Sequence, residues 1–152
     1  MKGNCAYINI FLFVSFVFSL IFMSCTKEDD VELLFFDKTW YIIGATTNGN
    51  HINNNDIKAL YSDPNTYFIH FNSHYSFSGK LSVDSPISGN WQVDGKKQKI
   101  KISILNDNSI ASTTLNTTIY NILQKATSYS GDMNNITIKQ NNYNYINFSS
   151  KK

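Results

Sequence analysis

Arginine is absent from this chain of 152 residues, since all 13 of its basic residues are lysines. The guanidinium group of arginine is the side chain best suited to bidentate contacts with phosphates and base edges. The formal net charge is also only +2. The lack of arginine and the small net charge therefore argue against nucleic acid as a partner.

Residues that usually carry chemistry are few. Of the three histidines, only His70 and His74 lie near each other, and four residues along one strand span about 13 Å, too far to share a metal ion. No serine lies in a Gly-x-Ser-x-Gly motif, and the aspartates of the domain fall at predicted turns, where they have a structural role. We therefore predict no catalytic residue, no metal site and no cofactor, and expect that the protein is not an enzyme.

Long hydrophobic runs are also scarce, and the one present lies at the amino terminus. Residues 6–23 contain no charged residue and follow Lys2. A positive residue before such an apolar run is typical of a secretory signal peptide, which we predict over residues 1–24. A membrane-spanning helix needs about 20 apolar residues, so length alone leaves a retained membrane anchor open.

Only two cysteines are present, and Cys25 stands at the end of this run. Ser24-Cys25, preceded by Phe22 and Met23, resembles the lipobox of bacterial lipoproteins. The resemblance implies cleavage before Cys25, diacylglycerol on its thiol and acylation of the new amino terminus, so membrane lipid is an expected partner. The alternative is an ordinary secretory signal with an incidental cysteine. Because Cys5 lies in the removed segment, the mature chain has one cysteine and no disulfide.

Charged residues follow Cys25 directly, at positions 27–30. They predict an acidic tether over residues 25–36, and they resemble the export signal of surface-exposed lipoproteins in some Gram-negative bacteria. A plain solvated tether is the alternative. The expected location is the cell envelope, lipid-anchored at the outer membrane, with surface exposure left open. The apolar residues 31–36 either start the domain or pack as an edge segment.

Residues 37–150 are enough for one domain, and most of them alternate between apolar and polar side chains, as half-buried strands do. The alternation is clearest from Tyr75 onward, where Phe77, Leu81 and Val83 share one face. Asp94-Gly95 indicates a hairpin turn. Strands are predicted over residues 40–45, 66–71, 75–83, 89–93, 99–104, 135–140 and 143–148, with a helical turn at 57–61.

One segment follows helical rather than strand periodicity. Leu115, Ile119 and Ile122 recur at helical spacing, a threonine such as Thr113 can cap the start, and Gly131 is placed to end the helix. The predicted fold class is mainly β (α+β). It is a curled antiparallel sheet or partly open β-barrel with one amphipathic helix before the last two strands.

Several motifs, by their order and spacing, resemble the META domain of bacterial envelope and heat-shock-associated lipoproteins. The motifs are Trp40-Tyr41-Ile42-Ile43, the Phe-rich residues 66–71, Tyr75-Ser76-Phe77-Ser78-Gly79, Gly89-Asn90-Trp91-Gln92-Val93-Asp94-Gly95, Thr113-Thr114 and Asn135-Ile136-Thr137-Ile138. The cysteine-containing elements of many META domains are absent. The resemblance assigns residues 37–150 to a META-like domain and implies an envelope role without a common reaction.

Two groups of residues are candidate contact sites. A basic strip, which either meets anionic lipid phosphates or is the solvated face of a strand, consists of Lys96, Lys97, Lys99 and Lys101. Four aromatic residues that either line a ligand cavity or pack the core are Trp40, Tyr75, Phe77 and Trp91. The predicted function is a lipid-anchored, non-enzymatic envelope lipoprotein with a binding or structural role toward an envelope protein partner. The alternative is a lipocalin-like carrier of a small apolar ligand.

Overall fold

The computed structural model describes residues 28–62, 66–106 and 113–151. The predicted signal peptide and Cys25 lie outside these residues. The described residues form three helices and nine strands. In chain order these are α1 (Glu28–Phe35), β1 (Lys38–Thr47), β2 (Asn50–His51), α2 (Asn54–Ser62), β3 (Phe68–Phe71), β4 (Ser76–Lys80), β5 (Pro86–Asp94), β6 (Lys99–Ile104), α3 (Thr114–Gln124), β7 (Ser128–Gly131), β8 (Asn135–Asn141) and β9 (Asn144–Ser149).

Eight of the strands form a closed antiparallel barrel. Each strand from β3 to β8 pairs with the next one along the chain. β1 pairs with β3 through residues 38–41 and with β9 through residues 41–46, which joins the two ends of the sheet. β2 extends the sheet beside the end of β1. The predicted barrel is confirmed, and it is closed rather than partly open.

The alternation along the strands places one face of each in a single core. On β6, Ile100, Ile102 and Ile104 are buried while Lys99 and Lys101 are exposed, as predicted. The largest side chains in this core are almost fully buried. They include Trp40, Trp91, Phe35, Phe71, Phe148, Ile42, Leu60 and Ile69. An eight-stranded barrel is just wide enough for side chains of this kind to fill it.

α3 is the amphipathic helix that the sequence predicts. Thr113 caps it, because Thr113 Oγ1 accepts a hydrogen bond from the Asn116 N–H at 3.1 Å. Leu115, Ile119 and Ile122 are buried, in agreement with their helical spacing. The helix packs against β6, β8 and β9.

β7 is a strand that the sequence analysis missed, so three strands rather than two follow α3. α3 ends at Gln124, and Tyr129, which extends the helical stripe in sequence, pairs with Ile138 on β8. The predicted helix stop at Gly131 is therefore wrong. Gly131 ends β7 with a φ of 138°, and a Cβ there would collide with the Asn135 carbonyl oxygen, so the β7–β8 turn requires glycine.

α2 occupies the predicted helical turn and is longer than predicted, over Asn54–Ser62. Asn53 caps it, because its Oδ1 accepts hydrogen bonds from the backbone N–H groups of Asn55 and Asp56, each at 2.9 Å. Leu60 is buried, and the helix packs against β1.

α1 lies inside the range predicted as the tether, residues 25–36. Val31, Leu34 and Phe35 recur at helical spacing and are buried in the core of the barrel. Residues 31–36 therefore start the domain, which was one of the two alternatives. The folded part of the chain begins before the predicted boundary at residue 37.

We expect Phe35→Ala to lower the free energy of unfolding by about 3–5 kcal/mol, because it removes a fully buried ring and leaves a cavity. Leu33→Ala is the matched control on the same helix, because Leu33 is 60% exposed. It should change the free energy by less than about 0.5 kcal/mol. Urea unfolding measures both variants. Equal losses in the two variants would contradict the buried position of α1.

Candidate functional site

α1 fills one end of the barrel and holds the most distinctive packing of the structure. The ring of Phe35 contacts three aromatic rings that come from different strands. Its centroid lies 5.2 Å from that of Phe71 on β3, 5.4 Å from that of Trp91 on β5 and 5.0 Å from that of Tyr129 on β7. The buried Trp40 Nε1–H donates a hydrogen bond to the Leu34 carbonyl oxygen at 2.8 Å. These contacts fix the helix against the barrel wall.

A cavity of about 280 Å³ lies between α1, the β5–β6 hairpin and the β7–β8 turn. Leu33, Leu34, Tyr129 and Met133 give it apolar walls, and Asp132 is at its edge. Leu33 and Met133 are 60% and 56% exposed. Cavities that bind small molecules are commonly about 300–1,000 Å³, so this one is at the small end of that range.

Two further apolar side chains, the half-buried Phe36 and the exposed Tyr75, lie at the same end of the barrel. The ring of Phe36 meets the ring of Tyr75 edge to face, with centroids 5.6 Å apart. Tyr75 is 49% exposed and also contacts Trp91 at 5.3 Å. We refer to Leu33, Phe36, Tyr75 and Met133 together as the mouth surface.

Three hydrogen bonds hold the turn that carries Met133 at the rim. The Asp132 carboxylate accepts hydrogen bonds from the N–H groups of Asn134 at 2.8 Å and Asn135 at 3.0 Å. These bonds lower the pKa of Asp132 from its ordinary value, and the nearby positive charge of Lys38 adds to the effect. Lys38 Nζ also donates to the Met133 carbonyl oxygen at 2.8 Å. The position of Met133 is therefore set by its turn.

The four aromatic candidates lie in two different environments, the buried core and the exposed mouth of the barrel. Trp40, Phe77 and Trp91 are at most 2% exposed and belong to the packed core. Tyr75 departs from the predicted alternation and faces outward at the mouth. The reason is local, because β4 begins only at Ser76 and Tyr75 has a φ of 57°, which turns its side chain away from the strand pattern.

His70 and His51 each lie opposite a threonine of β1 and pair with its hydroxyl group. His70 Nδ1 lies 2.9 Å from Thr39 Oγ1, and His51 Nδ1 lies 3.0 Å from Thr46 Oγ1. Within the described residues, no group of three or more histidine, cysteine, aspartate or glutamate side chains is placed to hold a metal ion. Among the tyrosines, burial raises the pKa of Tyr67, with a further contribution from the charge of Asp56.

The basic strip lies along the β5–β6 hairpin, and its four lysines are exposed. Lys97 Nζ is 3.7 Å from the Asp94 carboxylate. This ion pair is exposed and contributes little to the stability of the fold. Lys99 and Lys101 border a wide groove of about 620 Å³ between the hairpin and the chain after α3. Contact with lipid phosphates and simple solvation of a strand face both remain consistent with this position.

No helix in the described ranges is long and apolar enough to cross a membrane. The fold and the mouth surface define a small closed antiparallel β-barrel domain with an amino-terminal helix inserted in one end.

The chain belongs to the family described as Domain of unknown function (DUF4847), whose model matches residues 26–150. It is similar to the crystal structure of a DUF4847 family protein from Bacteroides vulgatus ATCC 8482, with 23% sequence identity and a TM-score of 0.64. The similarity covers 80% of this chain and 98% of that one, and at this identity it shows the fold alone. No curated protein matches the chain.

The resemblance to the META domain is wrong, because the family that matches is DUF4847 and the similar crystal structure is of the same family. The motifs behind the resemblance have general structural roles. Trp40 and Trp91 are core residues, and Asp94 ends a strand before a hairpin. Small β-barrels of different families share such features, so their order does not identify one family.

The sequence analysis missed the role of α1. The end of this helix supplies the cavity wall, from Leu33 and Leu34, and the central aromatic contacts, from Phe35. The sequence analysis proposed none of the three as a site residue. A signal was present, since Val31, Leu34 and Phe35 are spaced as the buried face of a helix. The acidic residues before them favoured a tether instead.

We expect the pKa of the Asp132 carboxyl to lie below the ordinary value of 3.8. Its ionised form accepts the two turn hydrogen bonds, so Asp132 stabilises the fold fully above the unfolded-state pKa. That contribution is lost as pH falls through the lowered folded-state pKa. Carbon-detected NMR titration of the carboxyl group measures the value. Titration at or above the ordinary value would show that the turn does not hold the carboxylate.

Proposed function

We propose that this protein is a lipid-anchored, non-enzymatic protein of the cell envelope that acts through binding or structural contacts of its outer surface. Cys25, acylated after cleavage of the signal peptide, supplies the anchor. The outer membrane is the proposed location, with the domain on its periplasmic or external side. An envelope protein is the proposed partner.

The observation that carries a surface role is the filling of the barrel interior. Trp40, Trp91, Phe71 and Phe148 are at most 1% exposed, and Phe35 packs among them from α1. The interior is thus occupied by the protein's own side chains at this end. Contacts with another molecule are therefore assigned to the mouth surface, the strand faces and the basic strip.

The lipid anchor is supported by residue types and order alone. The apolar run at residues 6–23 ends at Ser24-Cys25, and charged residues follow at once. Several acyl chains on one cysteine bind a membrane firmly, since each buried CH₂ contributes about 0.8 kcal/mol. The family match begins at residue 26, directly after this cysteine.

We expect cells that express the full chain to incorporate radioactive palmitate into the protein. Cys25→Ala should abolish the label, because it removes the thiol that carries the acyl chain. Cys5→Ala is the matched control, because Cys5 lies in the segment proposed to be removed and should leave the label unchanged. Labelling that persists in Cys25→Ala, or is absent from the natural sequence, would contradict the anchor.

A second candidate function is a carrier of a small apolar ligand, and the cavity beside α1 favours it. That cavity of about 280 Å³ has walls from Leu34, Tyr129 and Met133 and opens at the mouth. It could take one short acyl or aromatic group rather than a large ligand.

We expect a carrier to bind a short fatty acid such as octanoate saturably, with one site per chain, as measured by titration calorimetry. Met133→Trp, which places a larger ring at the cavity wall, should weaken this binding. Val83→Trp changes an exposed residue that does not line this cavity and serves as the control. Non-saturable binding, or equal binding by both variants, would count against the carrier function.

A further inference from the structure

We propose that the α1 end of the barrel rests on the membrane, with the mouth surface in the lipid headgroup region. The proposal depends on the acylation of Cys25 in the proposed function and adds to it an orientation and a contact surface. The occupant of the mouth surface is the lipid bilayer itself.

The length of chain between the anchor and the barrel limits the possible orientations. Three residue steps separate Cys25 from Glu28, the first residue of α1. A fully extended chain spans at most about 3.6 Å per residue, so Glu28 lies within about 11 Å of the acylated cysteine. Leu33 follows five residues later, about 7.5 Å along the helix. The α1 end is therefore kept beside the headgroups.

The side chains at this end suit a headgroup environment. Leu33 lies in the last turn of α1, and Phe36 directly follows the helix. Leu33 lines the same cavity as Met133, and Phe36 touches Tyr75, so α1 and the residue after it bring two pairs of apolar side chains to this end of the barrel. Tyrosine is enriched where membrane meets water, because its ring is apolar and its hydroxyl is polar.

Charge does not attract this end to anionic lipid, because α1 contributes four acidic residues, Glu28, Asp29, Asp30 and Glu32, and lysines of the facing turns and of β1 have acidic neighbours. Lys97 lies near Asp94, and Lys38 lies near Asp132. Such exposed neighbours leave little net attraction for anionic lipids. The contact should therefore form on zwitterionic lipid and should change little with salt concentration.

The opposite end of the barrel also exposes an apolar residue, but it is out of reach. Val83, 63% exposed, precedes β5, whereas Gly95, which follows β5, lines the cavity at the α1 end. The eight steps from Pro86 to Asp94 cover about 26 Å along the strand, or about 20 Å along the barrel axis at the usual tilt. When the α1 end touches the membrane, Val83 lies in water.

Single-cysteine probes on the full, lipidated chain test this orientation. Leu33→Cys, Met133→Cys and the control Val83→Cys each replace an exposed side chain, and the acylated thiol of Cys25 does not react with a dye. Each variant is labelled with the environment-sensitive dye NBD and reconstituted into phosphatidylcholine vesicles that carry doxyl-labelled lipid. At positions 33 and 133 we expect blue-shifted emission and several-fold stronger quenching than at position 83.

The outcomes separate this proposal from the proposed function. Flotation of each variant with the vesicles reports the anchor independently of the dyes. Failure to float would refute the anchor and the orientation together. A variant that floats while the dyes at positions 33, 133 and 83 give the same aqueous emission would refute the orientation alone, and stronger quenching at position 83 would reverse it.

Discussion

The packing of Phe35 against rings from β3, β5 and β7 is the contact on which the end of the barrel depends. Eight strands leave an interior that side chains just fill, and here aromatic rings do much of the filling. α1 also accepts the Trp40 indole hydrogen bond through the Leu34 carbonyl group. If α1 were removed, the Trp40 N–H would lose this hydrogen bond. An unpaired buried donor costs about 1–3 kcal/mol. The helix is therefore part of the fold rather than an addition to it.

Much of the fold follows from local patterns. Period-two alternation identified β6 to the residue, and Ile100, Ile102 and Ile104 are buried as it predicts. The N-cap at Thr113 and the apolar face of α3 were also predicted from the sequence. Such features depend on neighbouring residues, which a sequence displays directly. Closure of the barrel by β1 and β9 depends on residues about a hundred positions apart, and no local pattern shows it.

The errors have physical causes of the same kind. Gly131 was predicted to end a helix because glycine is common both after helices and in tight turns. The close approach of the Asn135 carbonyl oxygen shows that it belongs to a turn. Alternation predicts that Tyr75 shares the inward face of Phe77, but its left-handed backbone conformation turns it outward. At the candidate site, the cavity and the mouth surface combine α1 with the β5–β6 and β7–β8 turns. These segments come together only in the tertiary structure, so no local sequence pattern predicts the site. Membership in the DUF4847 family supports the fold but assigns no activity.

The double pairing of β1 has a consequence for the order in which the molecule assembles. Ile42 and Ala45 lie opposite Phe148 and Ile146, so the first strand of the barrel pairs with the last. A chain that emerges from a ribosome or a translocation pore cannot complete this sheet until its final residues arrive. Until then β1 has a free edge beyond its pairing with β3. Long-range pairing of this sort slows folding, so the closing pairing of β1 with β9 should form late.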